Sequence, residues 1–165
     1  MTARRAHTGA ARRAAGLTLT LRRSTRRGWV PGAAALRHWA MLALGRRARG
    51  GELSLLIVGA ARSRSLNRRY RGRDCATNVL SFPAAAQPHA AGAVLGDIVI
   101  CPEVLLREAR AQRKPARAHW THLVVHGVLH LIGHDHEQAA QARRMERREV
   151  RVLRSLGVAN PYRSS

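Results

Sequence analysis

The stretch HGVLHLIGHDH, residues 126–136, is the most informative part of the sequence because it sets histidines at metal-binding spacing within an apolar helix pattern. His126 and His130 are four residues apart, and Gly133 and His136 follow. Residues four apart lie one above the other on an α-helix, so their two imidazoles can bind one ion. Glycine tolerates the left-handed conformation that ends a helix, which lets the chain turn back and bring His136 to the same ion. The pattern predicts a three-histidine metal site at the end of a buried helix.

A three-histidine site has the composition of a catalytic zinc centre. Three neutral imidazole nitrogens leave a fourth coordination position for water, whereas structural zinc sites are usually closed by four ligands. We therefore expect one zinc ion per chain, although histidines also bind nickel and copper. The alternative is a group of core histidines satisfied by hydrogen bonds, which is more usual for a lone histidine than for this spacing.

Three further residues near the predicted ligands are candidates for supporting roles. His119 and His122 fall on the same helical face as the ligands, one or two turns earlier. They either contact RNA, support the ligands from behind, or serve only the packing of the helix. Asp135 either orients a ligand imidazole or caps the helix that follows.

Gly127 separates this pattern from the zinc peptidases. In the peptidase helix HExxH, the residue after the first histidine is a glutamate that acts as general base. Gly127 occupies that position here, so the base is missing. A zinc peptidase is therefore a weaker interpretation than a metal-dependent enzyme acting on another substrate.

The hydrophobic pattern predicts one small sheet surrounded by helices. Apolar or alternating runs predict four strands, at 17–21, 53–58, 77–83 and 94–100. Helical spacing and turn residues predict five helices, at 31–47, 61–72, 102–113, 115–132 and 137–156. We expect an α/β fold (α+β layered), with a four-stranded sheet packed against about five helices and the zinc site on the central, fourth helix. The domain should span 17–165, after a basic, disordered tail at 1–16.

The charge of the chain favours a polyanionic partner. There are 30 basic residues against 9 acidic ones, a formal net charge of +21, and every basic residue except Lys114 is arginine. A GC-rich codon bias accounts for arginine in place of lysine, but it accounts less well for the shortage of acids. We therefore expect a nucleic acid partner.

The sequence also bears on where the protein works. Cys75 and Cys101 form no paired motif, which is typical of a reduced, cytoplasmic protein. The N-terminus lacks the apolar core of a signal peptide, and the longest uncharged runs are broken by prolines or histidines. We expect a cytoplasmic protein with no membrane partner, and nothing in the sequence indicates its oligomeric state.

The 126–136 stretch resembles the H-G-x-L-H-L-x-G-x-D-H signature of the YbeY family, bacterial metal-dependent endoribonucleases of ribosome maturation. Similar motifs are SLNRRYRGRDCATNVLSFP at 65–83, LGDIVICPEV at 95–104, AHWTHLVVHG at 118–127 and LGVANPY at 156–162. The resemblance implies a zinc-dependent endoribonuclease that prefers single strands. It further implies a role in maturation of small-subunit (16S) ribosomal RNA and in ribosome quality control, with this RNA and the small subunit as partners.

The resemblance also assigns roles to individual residues. It implies that His126, His130 and His136 are the metal ligands and that Arg71 lies in the active-site cleft. A guanidinium suits that place because it can bind two oxygens of a phosphodiester whose negative charge grows during cleavage. Without the motif, Arg71 would be interpreted as one more solvated arginine.

Two other functions compete with this interpretation. The first is a non-catalytic ribosome assembly factor in which the metal only braces the fold. The second, less consistent with Gly127 and with the net charge, is a zinc peptidase.

Overall fold

A single mixed sheet organises the computed structural model, which describes residues 16–84, 92–134 and 138–163. Its strands are β1 (Thr18–Arg23), β2 (Glu52–Ile57), β3 (Val79–Pro83) and β4 (Val94–Ile100). The order is β1-β2-β4-β3, with β1, β2 and β4 parallel and β3 antiparallel to β4. Apart from Gly16, the predicted basic tail lies outside the described residues.

Five helices accompany the sheet. They are α1 (Ala33–Leu44), α2 (Ala60–Arg71), α3 (Pro102–Ala111), α4 (Ala116–Leu131) and α5 (Ala139–Ser155), with a 3-10 turn at Gly45–Ala48. The predicted α/β fold, with four strands and five helices, is confirmed, and the bounds differ from those expected by a few residues. No helix in the described ranges has the length and apolar character needed to cross a membrane.

The core forms where alternating strand residues meet α4. In β2, Leu53, Leu55 and Ile57 are buried, as a strand with one face toward the core requires. Helix α4 packs against α1, α3, α5 and the strands β3 and β4, and its apolar side chains Val125 and Leu129 are fully buried. The central position predicted for this helix is therefore correct.

Gly127 allows α4 to approach the sheet closely. A Cβ atom at this position would lie 3.2 Å from two side-chain atoms of Ile98 and 3.2 Å from the Ser81 hydroxyl. The same hydroxyl donates a hydrogen bond of 3.2 Å to the Gly127 carbonyl. Helix–sheet packing therefore leaves little room for a larger side chain at the position that carries a glutamate in zinc peptidases.

The end of α4 has the geometry that the glycine predicted. Gly133 has a φ of 87°, in the left-handed region. The amide of His134 donates to the Leu129 carbonyl at 3.0 Å, and the amide of Gly133 donates to the His130 carbonyl at 3.1 Å. This is the Schellman pattern, which satisfies the last carbonyls of the helix and reverses the chain just beyond His130.

Candidate metal centre

A cavity of about 650 Å³ lies where the C-terminal ends of α2 and α4 meet β3. It contains three of the predicted site residues, Arg71, His126 and His130. Other polar side chains share its walls, among them Asn67, Arg73, Ser81 and His134. The fold thus brings the arginine of the α2 motif, about 60 residues distant in sequence, to the histidines of α4.

His126 and His130 face each other across one turn of α4. Their Nε2 atoms are 3.1 Å apart, and the rings meet edge to face. Two imidazole nitrogens bound to one tetrahedral zinc at about 2.0–2.1 Å would be separated by about 3.3 Å. The pair therefore fits a shared ion without rearrangement of the helix, and both side chains line the cavity.

Glu149, on α5, lies behind His126 as seen from the cavity. Its carboxylate is fully buried, and it accepts hydrogen bonds from His126 Nδ1 at 3.1 Å, from His122 Nε2 at 3.2 Å and from the Tyr162 hydroxyl. Burial alone would raise the pKa of Glu149, but the hydrogen bonds from His122 and His126 outweigh it and lower the pKa to about 2. Burial and the bond to Glu149 raise the pKa of Tyr162, so that its hydroxyl keeps its proton.

This carboxylate sets the tautomer of His126. An ionised carboxylate only accepts hydrogen bonds, so the Nδ1 atom that faces it carries the proton. In the neutral imidazole, Nε2 then presents its lone pair toward His130 and the cavity. A carboxylate behind a histidine is the usual support of a histidine metal ligand, because it fixes the ring and raises its basicity.

A second grouping of the same residues could also hold a metal ion. Ligand atoms of His122, His126 and Glu149 all lie within 4.8 Å of one another. In that arrangement Glu149 would be a ligand rather than a support. The separations of 3.1 and 3.2 Å are, however, those of ordinary hydrogen bonds, and the fully buried carboxylate gives a substrate no access.

His119 lies near the N-terminal end of α4, away from the cavity. Its side chain is 4% exposed, and its Nε2 atom is 3.0 Å from a carboxylate oxygen of Glu108 on α3. The Asn78 amide donates to the same oxygen at 2.8 Å. Burial lowers the pKa of His119 despite Glu108. This contact ties α4 to α3 and to the start of β3, whereas His122 belongs to the group around Glu149.

Comparison with known proteins places the chain in a family. The profile of a family described as "Endoribonuclease YbeY" matches residues 34–157. The chain belongs to the YbeY family. The match spans the sheet from β2 onward and all five helices, so it includes every element that lines the cavity.

Several curated relatives carry the name Endoribonuclease YbeY. The Halorhodospira halophila protein is 50% identical over 136 residues, covering 81% of this chain and 88% of the relative. The Alkalilimnicola ehrlichii protein is 52% identical over 141 residues, covering 83% and 85%. A solution structure from Thermotoga maritima, 20% identical, covers 89% of this chain and 100% of its own with a TM-score of 0.54, which supports the fold.

Two residues of this candidate site, Glu149 and Tyr162, were not identified as site residues from the sequence. Tyr162 is present there only as the end of the family motif at 156–162. The available signal was an acidic residue at a position where α5 should be buried. His136 and Asp135, by contrast, were singled out but lie outside the described residues, so their placement stays a prediction.

Proposed function

We propose that the chain is a zinc-dependent endoribonuclease that cleaves single-stranded RNA. The observation that carries the proposal is the histidine pair of α4, His126 and His130, whose Nε2 atoms converge in a cavity that also contains Arg71. The proposed setting is the cytoplasm, and the proposed substrate is small-subunit (16S) ribosomal RNA during maturation and quality control. Family membership and the net charge of +21 support this choice of substrate.

The proposed roles of His126, His130 and Arg71 rest on their positions in the cavity, and that of His136 rests on the family motif. His126, His130 and His136 would hold the ion, with Glu149 fixing His126 through its Nδ1 atom. Zinc, when bound, supplies a Lewis acid for a phosphate oxygen and lowers the pKa of a water molecule. Arg71, exposed at the end of α2 and on the cavity wall, binds the phosphate and stabilises the charge that develops on it.

The experiment that tests the proposal compares two histidines of α4 that differ in position relative to the cavity. His130→Ala should lower zinc affinity by at least tenfold and abolish RNA cleavage, because His130 faces His126 Nε2. His122→Ala should retain stoichiometric zinc, because the His122 imidazole hydrogen-bonds to the supporting carboxylate and does not line the cavity. Zinc content is measured by atomic emission, and cleavage with a single-stranded RNA after repeated purification to remove contaminating ribonuclease.

Each outcome has a definite meaning. If His130→Ala retains zinc and His122→Ala loses it, the ion is bound by the group of His122, His126 and Glu149 instead. Stoichiometric zinc with RNA binding but no cleavage by the native protein would favour the non-catalytic assembly factor. Cleavage by a folded, metal-free His126→Ala protein would overturn the proposed mechanism.

A further inference from the structure

A second cavity lies beside the candidate metal centre. It has a volume of about 450 Å³ and lies between α5 and the C-terminal end of α1. His134 lines both cavities, so the two adjoin at that residue. Four arginines of α5 form most of the wall of the second cavity, and we call this surface the α5 arginine groove: Arg144, Arg147, Arg148 and Arg151.

The four arginines share one face of α5 because, at about 100° per residue, positions 144, 147, 148 and 151 fall within an arc of about 100°. Arg144, Arg147 and Arg151 are exposed, whereas Arg148 is half-buried. The Arg148 guanidinium donates a hydrogen bond of 3.0 Å to the Ala43 carbonyl near the end of α1. One of the four charges is therefore held in place at the base of the groove, and the other three extend around it.

The positive charge of the groove is not balanced by any acid in the part of the chain that the structure describes. Within the described ranges, no carboxylate forms an ion pair with any of the four guanidiniums. Burial, and then repulsion from Arg47 and Arg151, lowers the pKa of Arg148. Like charges collected in a concave surface destabilise one another, and an anionic ligand with several charges relieves this repulsion.

An exposed arginine face is often simply solvated, but three features distinguish this one. The surface is concave, one arginine is anchored across it, and it adjoins the cavity that holds Arg71 and the histidine pair. Leu42, 39% exposed, adds an apolar side chain to the wall, on which a nucleobase can lie. Regularly spaced phosphates, with flat bases between them whose faces can stack on an apolar side chain, match this combination better than an acidic peptide does.

We propose that the α5 arginine groove binds the phosphates of single-stranded RNA on one side of the phosphodiester held in the first cavity. This rests on the proposed endoribonuclease function, since it extends the same substrate beyond the cleavage site. The contacts are to the backbone, so they give affinity without reading the base sequence. RNA long enough to reach the groove should bind more tightly than RNA that fills the first cavity alone.

The test uses the full chain with zinc and two RNA lengths. Arg147→Ala/Arg151→Ala removes two exposed charges from the groove, and Arg107→Ala/Arg110→Ala removes two exposed charges from α3, outside both cavities. We expect the groove variant to lower kcat/KM about tenfold for an RNA of roughly 12 nucleotides at moderate salt. The slope of log kcat/KM against log salt should become about 1.4 less steep, as two lost phosphate contacts require. A trinucleotide should be cleaved at the native rate.

The outcomes separate this proposal from the function on which it rests. A native protein that cleaves neither RNA refutes the endoribonuclease, and the groove proposal with it. A native protein that cleaves RNA, together with a groove variant that matches the α3 variant, overturns the groove proposal alone. The groove proposal is also overturned if the groove variant loses affinity for poly-glutamate but not for RNA, which would assign the surface to an acidic protein.

Discussion

Replacement of Glu149 by glutamine tests how the histidine pair is prepared for a metal. Glu149→Gln keeps the shape of the side chain and removes its charge. In the native protein, three donors converge on the carboxylate: His126 Nδ1 at 3.1 Å, His122 Nε2 at 3.2 Å and the Tyr162 hydroxyl. Both histidines contact Oε1 and the Tyr162 hydroxyl contacts Oε2, so the single oxygen of the amide can still accept from the histidines, whereas its nitrogen faces the hydroxyl, which loses its acceptor.

The size of the effect follows from the environment of the carboxylate. Its pKa of about 2, against an ordinary value of 4.5, corresponds to about 3 kcal/mol in favour of the charged form in the folded protein. A neutral amide loses most of this, so we expect the free energy of unfolding of the zinc-free protein to fall by about 2–3 kcal/mol. Zinc affinity should fall 10- to 100-fold, because a neutral amide oxygen holds the His126 ring less firmly than a carboxylate and does not raise its basicity.

The assay is a zinc titration against a chromophoric chelator, preceded by circular dichroism to establish that each variant is folded. Glu146→Gln is the matched control, since Glu146 is an exposed glutamate on the same helix. Tyr162→Phe removes one donor and leaves both histidine contacts, so its zinc affinity should stay within about threefold of the native value. A urea titration of each variant measures the accompanying loss of stability.

Native zinc affinity in a folded Glu149→Gln protein would refute the reasoning, because the strength of His126 as a ligand would then not depend on the charge of the carboxylate. Total loss of zinc binding, accompanied by unaffected binding in His130→Ala, would show that Glu149 is itself a ligand. The intermediate loss that we expect is the signature of a residue acting through another residue.

The remaining predictions concern pH, the arginine of the cavity and the close approach of α4 to the sheet. Acid should destabilise the zinc-free protein. The lowered pKa of Glu149 contributes stability that is fully present above about pH 4.5 and is lost toward pH 2. The lowered pKa of His119 adds a further loss of stability below about pH 6.5. Urea unfolding at a series of pH values measures this, and a flat profile between pH 7 and pH 4 would contradict it. Arg71→Ala should reduce RNA cleavage about 100-fold with zinc content unchanged, whereas Arg62→Ala, on the exposed surface of the same helix, should not; equal rates in the two variants would remove Arg71 from the site. Gly127→Ala should lower the free energy of unfolding by about 1 kcal/mol, because three contacts at 3.2 Å outweigh the better helix propensity of alanine, and a stabilised variant would show that the sheet yields easily.

Local sequence patterns were sufficient to predict the helices and strands of this fold. The apolar run of β2 and the glycine after α4 each specify local geometry, and each has the expected conformation. Gly133 is the clearest case, because the left-handed residue and the Schellman bonds follow from the absence of a side chain. The order of the strands could not be predicted from local patterns. β4 lies between β2 and β3 in the sheet, and this pairing depends on contacts between residues distant in sequence.

The same distinction applies to the site. His126 and His130 are one helical turn apart, so their convergence follows from the geometry of a single helix. Glu149 reaches His126 only because α5 packs on α4, and Tyr162 reaches Glu149 from a third segment. No spacing rule connects these positions, so sequence reasoning identified the histidines and not their support.

The support of the metal centre and the packing of α5 on α4 depend on the same group. A fully buried carboxylate costs several kcal/mol in lost hydration, which is offset only while its donors remain in place. Those donors come from α4 and from the C-terminal segment, so the charge is tolerated only when α4, α5 and Tyr162 are assembled together. The arrangement that orients His126 is therefore complete only in the folded protein. A zinc ion held by His126 would bind that arrangement more tightly than the unfolded chain, so metal binding should stabilise the contact between α4 and α5 in particular.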